Sequence, residues 1–307
     1  MYENLSLIMD DGINININVW KPQKKEKAVI VILHGMAEHS MRYENSASFL
    51  ASNGYIVYIW DQRGHGLTGK KMGSLGFFNE KDGWNRVTED IKEIIKWIKS
   101  NNKDLELFLL GHSMGSLLAR TCIQNFGNEF KGVILSGTTL GGNYITQVGG
   151  KLLAWYYIKK YGLYAEATKL DNIVFGNFNK NFKPSNTKFD WLSKDEKKVY
   201  EYVDDELCGF ICTTAFFRDL FYGVGLTYKN SNIDNIPKGL PILLFSGDMD
   251  PASKEGKEVK KLYEKYKMLG IKDLSMKLYK NGRHEMLNET NRDEVYQDIL
   301  HWLQKYN

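Results

Sequence analysis

The sequence predicts an α/β fold: a mostly parallel sheet with helices on both faces, interrupted by a helical insertion. Three observations predict it. Continuous β-branched runs such as Ala28–Leu33 read as strands buried on both faces. Stretches of helical periodicity separate these runs at lengths that suit right-handed crossovers. From about residue 140 to 235 the buried-strand signal stops and aromatic residues concentrate.

The elements follow in chain order. Residues 13–20 (INININVW) alternate with period two and read as a strand, paired with 4–9 in a hairpin. Ala28–Leu33, Tyr55–Trp60, Leu105–Leu110 and Gly132–Leu135 read as buried strands. Helices are expected over 44–53, over 86–100, where Val87, Ile91, Ile94, Ile95 and Ile98 fall at helical spacing, and over 114–126. Residues 140–235 then hold nearly half of the aromatic residues in less than a third of the chain, including AWYYIKKYGLY (154–164) and FICTTAFFRDLFYGVGL (210–226). Small helical units need large anchors, so such side chains can form the insertion's own core. The sheet resumes at Pro241–Ser246 and Leu274–Tyr279, and a closing helix fits 290–305. The organisation expected is core 1–139, helical cap 140–235 and core 236–307.

Composition narrows the class. Of 307 residues, 43% are apolar and 25% charged, ordinary for a globular chain. The net charge of +4 is too small and too spread out to make nucleic acid an expected partner. The apolar runs fall far short of the roughly 18 residues that span a bilayer. The beginning, MYENLSLIMDDG, has acids where a secretion signal needs a basic end and an apolar stretch. Three cysteines (Cys122, Cys208, Cys212) are an odd, sparse set that implies no disulfide framework and fits a reducing compartment. A cytoplasmic enzyme is the expectation.

The sharpest motif is Gly111-His112-Ser113-Met114-Gly115, directly between a buried strand and a helix. A serine on such a turn has its hydroxyl pushed out at the carboxyl end of the sheet, and the glycines let strand and helix approach closely. A serine hydroxyl needs a base to become nucleophilic, usually an imidazole held by a carboxylate. Among six histidines, His284 lies in a loop after the last strand, where the chain order Ser…Asp…His puts the base. His301 reads as a surface or packing residue and His112 as locally bonded; His34, His39 and His65 fall in loops that can shape the pocket. The orienting acid should follow the 241–246 strand, where Asp248 and Asp250 both stand. Asp250 is preferred, being further into the loop and stiffened by Pro251, with Asp248 as a turn-forming acid. The backbone N–H groups of Met114 and of Met36, in His34-Gly35-Met36-Ala37-Glu38-His39, are the candidate oxyanion donors. His34 and His39 lack a third ligand in their spacing, so no metal is expected. No strand is followed by G-x-G-x-x-G, and no cofactor is expected.

HGMAEHSMRY (34–43), DQRGHGLTG (61–69), GHSMGS (111–116), SGDMDP (246–251) and GRHEMLNE around His284 resemble, in order, the monoacylglycerol lipase/lysophospholipase branch of the α/β-hydrolases. FDWLSKDEKKVYEYVDDELCGF (189–210) resembles the cap of bacterial members. The resemblance implies an α/β-hydrolase fold with an eight-stranded, mostly parallel sheet beneath a helical cap. It implies Ser113 as nucleophile, Asp250 as the acid, His284 as the base, and Met36 and Met114 at the oxyanion hole. Asp61, Arg63 and His65 match a mainly structural loop; Ser116 stands where the family more often has glycine. The expected substrate is a monoacylglycerol or lysophospholipid, a small-molecule ester, cleaved through an acyl-enzyme. A broad carboxylesterase or small-amide peptidase is the alternative within hydrolases, and a non-catalytic ligand-binding protein the alternative outside them. The lysines and aromatics at 154–160 suit transient contact with a membrane surface, although a buried cap helix is the commoner use of such a segment.

Overall fold

In the computed structural model, which describes residues 1–140 and 144–307, the sheet is the frame on which the site is assembled. Its strands are β1 (Tyr2–Ile8), β2 (Asn14–Trp20), β3 (Ala28–Leu33), β4 (Tyr55–Trp60), β5 (Leu107–His112), β6 (Gly132–Ser136), β7 (Ile242–Gly247) and β8 (Leu274–Tyr279). Their spatial order is β1-β2-β4-β3-β5-β6-β7-β8. β1 pairs antiparallel with β2, and β2 with β4; every later pair is parallel. The fold is thus the mostly parallel α/β sheet expected.

The helices are α1 (Glu44–Ser52), α2 (Gly66–Met72), α3 (Gly83–Asn101), α4 (Met114–Phe126), α5 (Tyr144–Tyr161), α6 (Thr168–Phe175), α7 (Glu196–Asp204), α8 (Thr214–Tyr228), α9 (Asn230–Ile233), α10 (Lys257–Met268) and α11 (Arg292–Leu303). Side chains alternate across a strand, so the wholly buried β3 feeds two cores. Val29, Val31 and Leu33 join Val87, Ile91, Ile94, Ile95 and Ile98 of α3, together with residues of α4 and α10. Ile30 and Ile32 join Ala47 and Leu50 of α1 and Val295, Ile299 and Leu303 of α11. Burying both faces of a strand requires apolar residues at every position, and this is why these strands read as uninterrupted runs.

Between β6 and β7 the described residues form helices and loops, with one isolated bridge between Glu166 and Thr213 and no strand. α8 packs on α4, α3 and α5. α5 is not a buried helix: Ala154 is enclosed, but Trp155 is 60% and Tyr156 51% exposed, with the Lys159 ammonium 5.6 Å from the centre of the Trp155 ring. The commoner of the two uses considered for residues 154–160 therefore fails for these side chains. Among the described residues, no helix is long and apolar enough to cross a membrane.

Candidate active site

Ser113 sits between β5 and α4 with φ 52° and ψ −118°, a left-handed conformation unfavourable for a side-chain-bearing residue. Sterics hold it there. A Cβ on Gly115 would lie 2.0 Å from the Leu33 carbonyl oxygen, and one on Gly111 would lie 2.4 Å from that of Gly115. Only hydrogen at both positions lets α4 start against β3. The Ser113 amide donates to the Ser136 carbonyl at 2.9 Å, and Ser116 anchors the turn by donating its hydroxyl to the Ser113 carbonyl at 2.6 Å. The Ser113 hydroxyl makes no hydrogen bond to any described residue and borders a cavity.

His284 borders the same cavity. Its Nδ1–H donates to Asp250 Oδ1 at 2.9 Å, because a carboxylate can only accept. Asp250 is fully buried; its other oxygen accepts from the Ser246 hydroxyl at 2.7 Å, and Oδ1 also accepts from the Ala252 amide at 2.9 Å. Burial pushes the Asp250 carboxyl up, but the adjoining imidazole and these hydrogen bonds outweigh it and hold the carboxyl below its usual range. Burial pushes His284 down, and Asp250, then Glu285 and Glu38, outweigh that and raise it above 6.5. The His284 ring is packed between His112, 4.8 Å away between centres, and Trp191, 5.0 Å away. Its Nε2 is bonded to no described residue. Asp248 lies apart from the ring, taking the Asn281 amide at 2.7 Å in a turn.

The loop after β3 brings the Met36 amide to the cavity, and the start of α4 brings the Met114 amide. Neither amide donates to a described acceptor. Gly35, beside them, donates to Glu38 Oε1 at 2.5 Å, and the Tyr43 hydroxyl donates to the same oxygen at 2.8 Å. Arg42 then joins three parts of the site. It donates to Glu38 at 2.7 Å and to both Glu285 oxygens at 2.6 Å, and its guanidinium lies 4.7 Å from the centre of the Tyr202 ring. Burial pushes the Glu38 carboxyl up, but Arg42 and the neighbouring histidines and Tyr43 hold it down at about 2. The sequence reading gave no role to Glu38, Arg42, Glu285 or Trp191. Glu38 and Arg42 stand four residues apart within HGMAEHSMRY, a spacing that could have suggested an ion pair; nothing local pointed to Glu285 or Trp191.

The remaining histidines are accounted for by packing and hydrogen bonds. His34 uses both nitrogens, donating to the Gly35 carbonyl at 2.7 Å and accepting from the Gln62 amide at 3.0 Å. His65 is buried among Phe78, Phe210 and Phe216, and burial drives its pKa down to about 3. His112 bonds Ser136 at 3.1 Å, and burial with its neighbour His284 takes it down to about 4. His39 meets Asp205 at 2.8 Å, and His301 is exposed. Asp61 ties its loop together, accepting from the Ser40 and Leu67 amides at 2.9 Å each, while Arg63 is paired with Asp90 and Asp11.

The cavity has a volume of about 860 Å³, within the range of small-molecule sites. Its walls include the apolar side chains of Leu117, Phe175, Trp191, Leu220, Phe221 and Val224, beside polar ones such as Asp171, Asn172 and Lys188. The 189–195 wall is strapped to the His284 loop. Glu285 donates its amide to the Leu192 carbonyl at 2.7 Å, Arg283 donates to the carbonyls of Asp190 and Ser193, and Glu289 accepts from the Lys194 amide at 3.0 Å.

This sheet, with a strained serine at a strand-to-helix turn and an acid-held imidazole across the cavity, defines an α/β-hydrolase. A family described as serine aminopeptidase, S33, matches residues 24–291. The chain is 25% identical to the monoacylglycerol lipase of Mycolicibacterium smegmatis, over 95% of this chain and 93% of that one. It is 26% identical to the monoglyceride lipase of Homo sapiens, over 98% of this chain and 91% of that one. A thermostable carboxyl esterase from Bacillus coagulans, solved with glycerol, superposes with a TM-score of 0.89 at 26% identity, covering 99% of this chain and 98% of that one. The chain belongs to the serine aminopeptidase S33 family, in its monoacylglycerol lipase-like branch, and is a hydrolase.

Proposed function

We propose that the protein hydrolyses carboxylic esters of single-chain lipids, monoacylglycerols or lysophospholipids, with Ser113 as nucleophile, His284 as base and Asp250 as orienting acid. The observation that carries the reading is the 2.9 Å bond between His284 and Asp250, made on the wall of the cavity that Ser113 also borders. His284 Nε2 takes the Ser113 proton as the hydroxyl attacks the ester carbonyl. The amides of Met36 and Met114 hold the oxyanion, and both are free to do so. The alcohol leaves with the proton from His284, and water repeats the cycle on the acyl-enzyme. Catalytic hydrogen bonds are often open without substrate and close when it binds, which accounts for a serine hydroxyl not yet bonded to the ring.

Residues 140–235 act in this reading as a cap on a core of 1–139 and 236–307. The apolar walls would bury a fatty chain, each methylene contributing about 0.8 kcal/mol. The cytoplasm is the compartment we assign, where the three free, buried thiols stay reduced. The family's description favours a second reading, cleavage of a small amide.

A panel of monoacylglycerols, lysophospholipids, short esters and aminoacyl amides tests both. The expected result is activity rising with acyl length on esters, and loss in Ser113→Ala on the order of 10⁶-fold in kcat. Rates flat across acyl length would remove the lipid assignment; amides cut faster than esters would favour the second reading.

A further inference from the structure

We propose that His39, Asp205 and Cys208 form a zinc-binding site at the seam between the loop carrying Met36 and the segment after α7. The sequence separates His39 from Asp205 and Cys208 by more than 160 positions, and the fold brings His39 Nε2, an Asp205 carboxylate oxygen and Cys208 Sγ within 4.8 Å of one another. An imidazole, a carboxylate and a thiol are the donor set that zinc takes, and tetrahedral bonds of about 2.0–2.3 Å leave ligand atoms roughly 3.5 Å apart. Binding would require the three side chains to close that difference. The 2.8 Å contact between His39 Nε2 and Asp205 already holds two of the three donors together, and a metal ion would take the place of the proton between them.

The surroundings favour a dication. Asp205, Glu38 and Glu285 lie near Cys208, and Arg42 beside them is already bonded to Glu38 and Glu285. The site is reachable but sheltered: the His39 side chain is 12% and that of Asp205 31% exposed, while Cys208 is buried. The turn is preset, with the Leu207 amide donating to Asp205 Oδ1 at 2.8 Å and the Cys208 amide to the Asp205 carbonyl at 3.0 Å. Binding expels the Cys208 thiol proton and takes His39 as its Nδ1–H tautomer, with Nε2 free for the metal. Water fills the fourth position. Next to the site, Gly209 donates its amide to the Ala37 carbonyl at 2.9 Å, so zinc would brace a seam that touches the Met36 loop directly.

The test is metal titration of chelator-stripped full-length protein, followed by calorimetry and thermal melting, with cobalt(II) as a spectroscopic substitute. The expected result is saturable binding of one ion per chain, a rise in Tm of a few degrees reversed by chelator, and a thiolate-to-cobalt charge-transfer band in the near ultraviolet. Cys208→Ser should abolish the band, and Asp205→Asn should weaken zinc binding by about tenfold or more. A wild-type cobalt complex without a thiolate band overturns the proposal, and that result needs no variant to fold. So does the absence of saturable zinc binding, or zinc binding of equal strength in His39→Ala, Asp205→Asn and Cys208→Ser.

Discussion

Residues 111–115 and residues 189–195 border the same cavity, and they are held there by different means. The first set is fixed by backbone contact: β5 lies between β3 and β6, and the glycines on either side of Ser113 leave no room for a Cβ. The second has no regular structure to hold it and depends on side chains far away in sequence, Arg283 and Glu289, which bind its carbonyls and amides. α5, which packs on α8, turns Trp155 and Tyr156 outward. A turn fixed by sterics cannot drift without breaking the fold, whereas a wall held by polar straps and aromatic packing can change its shape and keep the core. On the proposed reading, chemistry would belong to the carboxyl ends of the central strands and selectivity to the walls above them.

After loss of the nucleophile itself, the largest expected effect tests the rigid side. Asp250→Asn preserves shape but removes the carboxylate that holds the His284 tautomer, and kcat should fall by about 10⁴-fold. The pH profile gives the sign independently. In the wild type His284 is raised above 6.5, and a base must be neutral, so kcat/KM should be lost as pH falls through a value above 6.5. Without Asp250, burial dominates and the acid limb should move below 6.5. A limb that stays in place would mean that another group controls it.

The seam between the two regions comes next. Arg42→Ala leaves Glu38 and Glu285 buried without their cation and should cost about 3–5 kcal/mol in denaturant unfolding at pH 7. Glu38 is held at about 2 against an ordinary 4.5, so its contribution is present above pH 4.5 and is lost as pH falls toward 2. The gap between wild type and variant should accordingly narrow below pH 4.5. A gap of constant size would point to lost packing on Tyr202 instead.

How much could be read from the sequence follows the same division. Ala28–Leu33, Tyr55–Trp60 and Leu274–Tyr279 begin and end where the residues predict, because a doubly buried strand leaves an unbroken apolar run and β8 repeats the length if not the burial. α2 and α10 leave little signal in the sequence: α2 is short and holds two glycines, and α10 buries only Val259, Leu262 and Tyr266 of its apolar residues, among many lysines and glutamates. At the site, the Ser113 turn is local and legible. The choice between Asp248 and Asp250 rested on loop position, and it is Asp250 that bonds His284. The Arg42–Glu285 pair and the contact of Trp191 with His284 were out of reach because the partners lie 90 or more residues apart and leave no periodic trace.

The smallest expected effect tests the adaptable side. Phe221 lies on α8 with its ring on the cavity wall, 6.1 Å from the Phe217 ring centre. It is only partly enclosed by protein, so Phe221→Ala should cost less stability than the 3–5 kcal/mol of a core phenylalanine. Its effect should fall on substrate choice. If the ring covers an acyl chain, long-chain esters lose about 1–3 kcal/mol of transition-state binding, a 10- to 200-fold drop in kcat/KM. Esters too short to reach α8 should keep their rate, since the Ser113 turn and the Asp250–His284 bond lie on other elements. Parallel kcat/KM measurements on short and long esters distinguish the cases. An equal loss on both would mean that α8 supports the catalytic groups themselves, and the division between rigid edge and adaptable wall would have to be redrawn to include it.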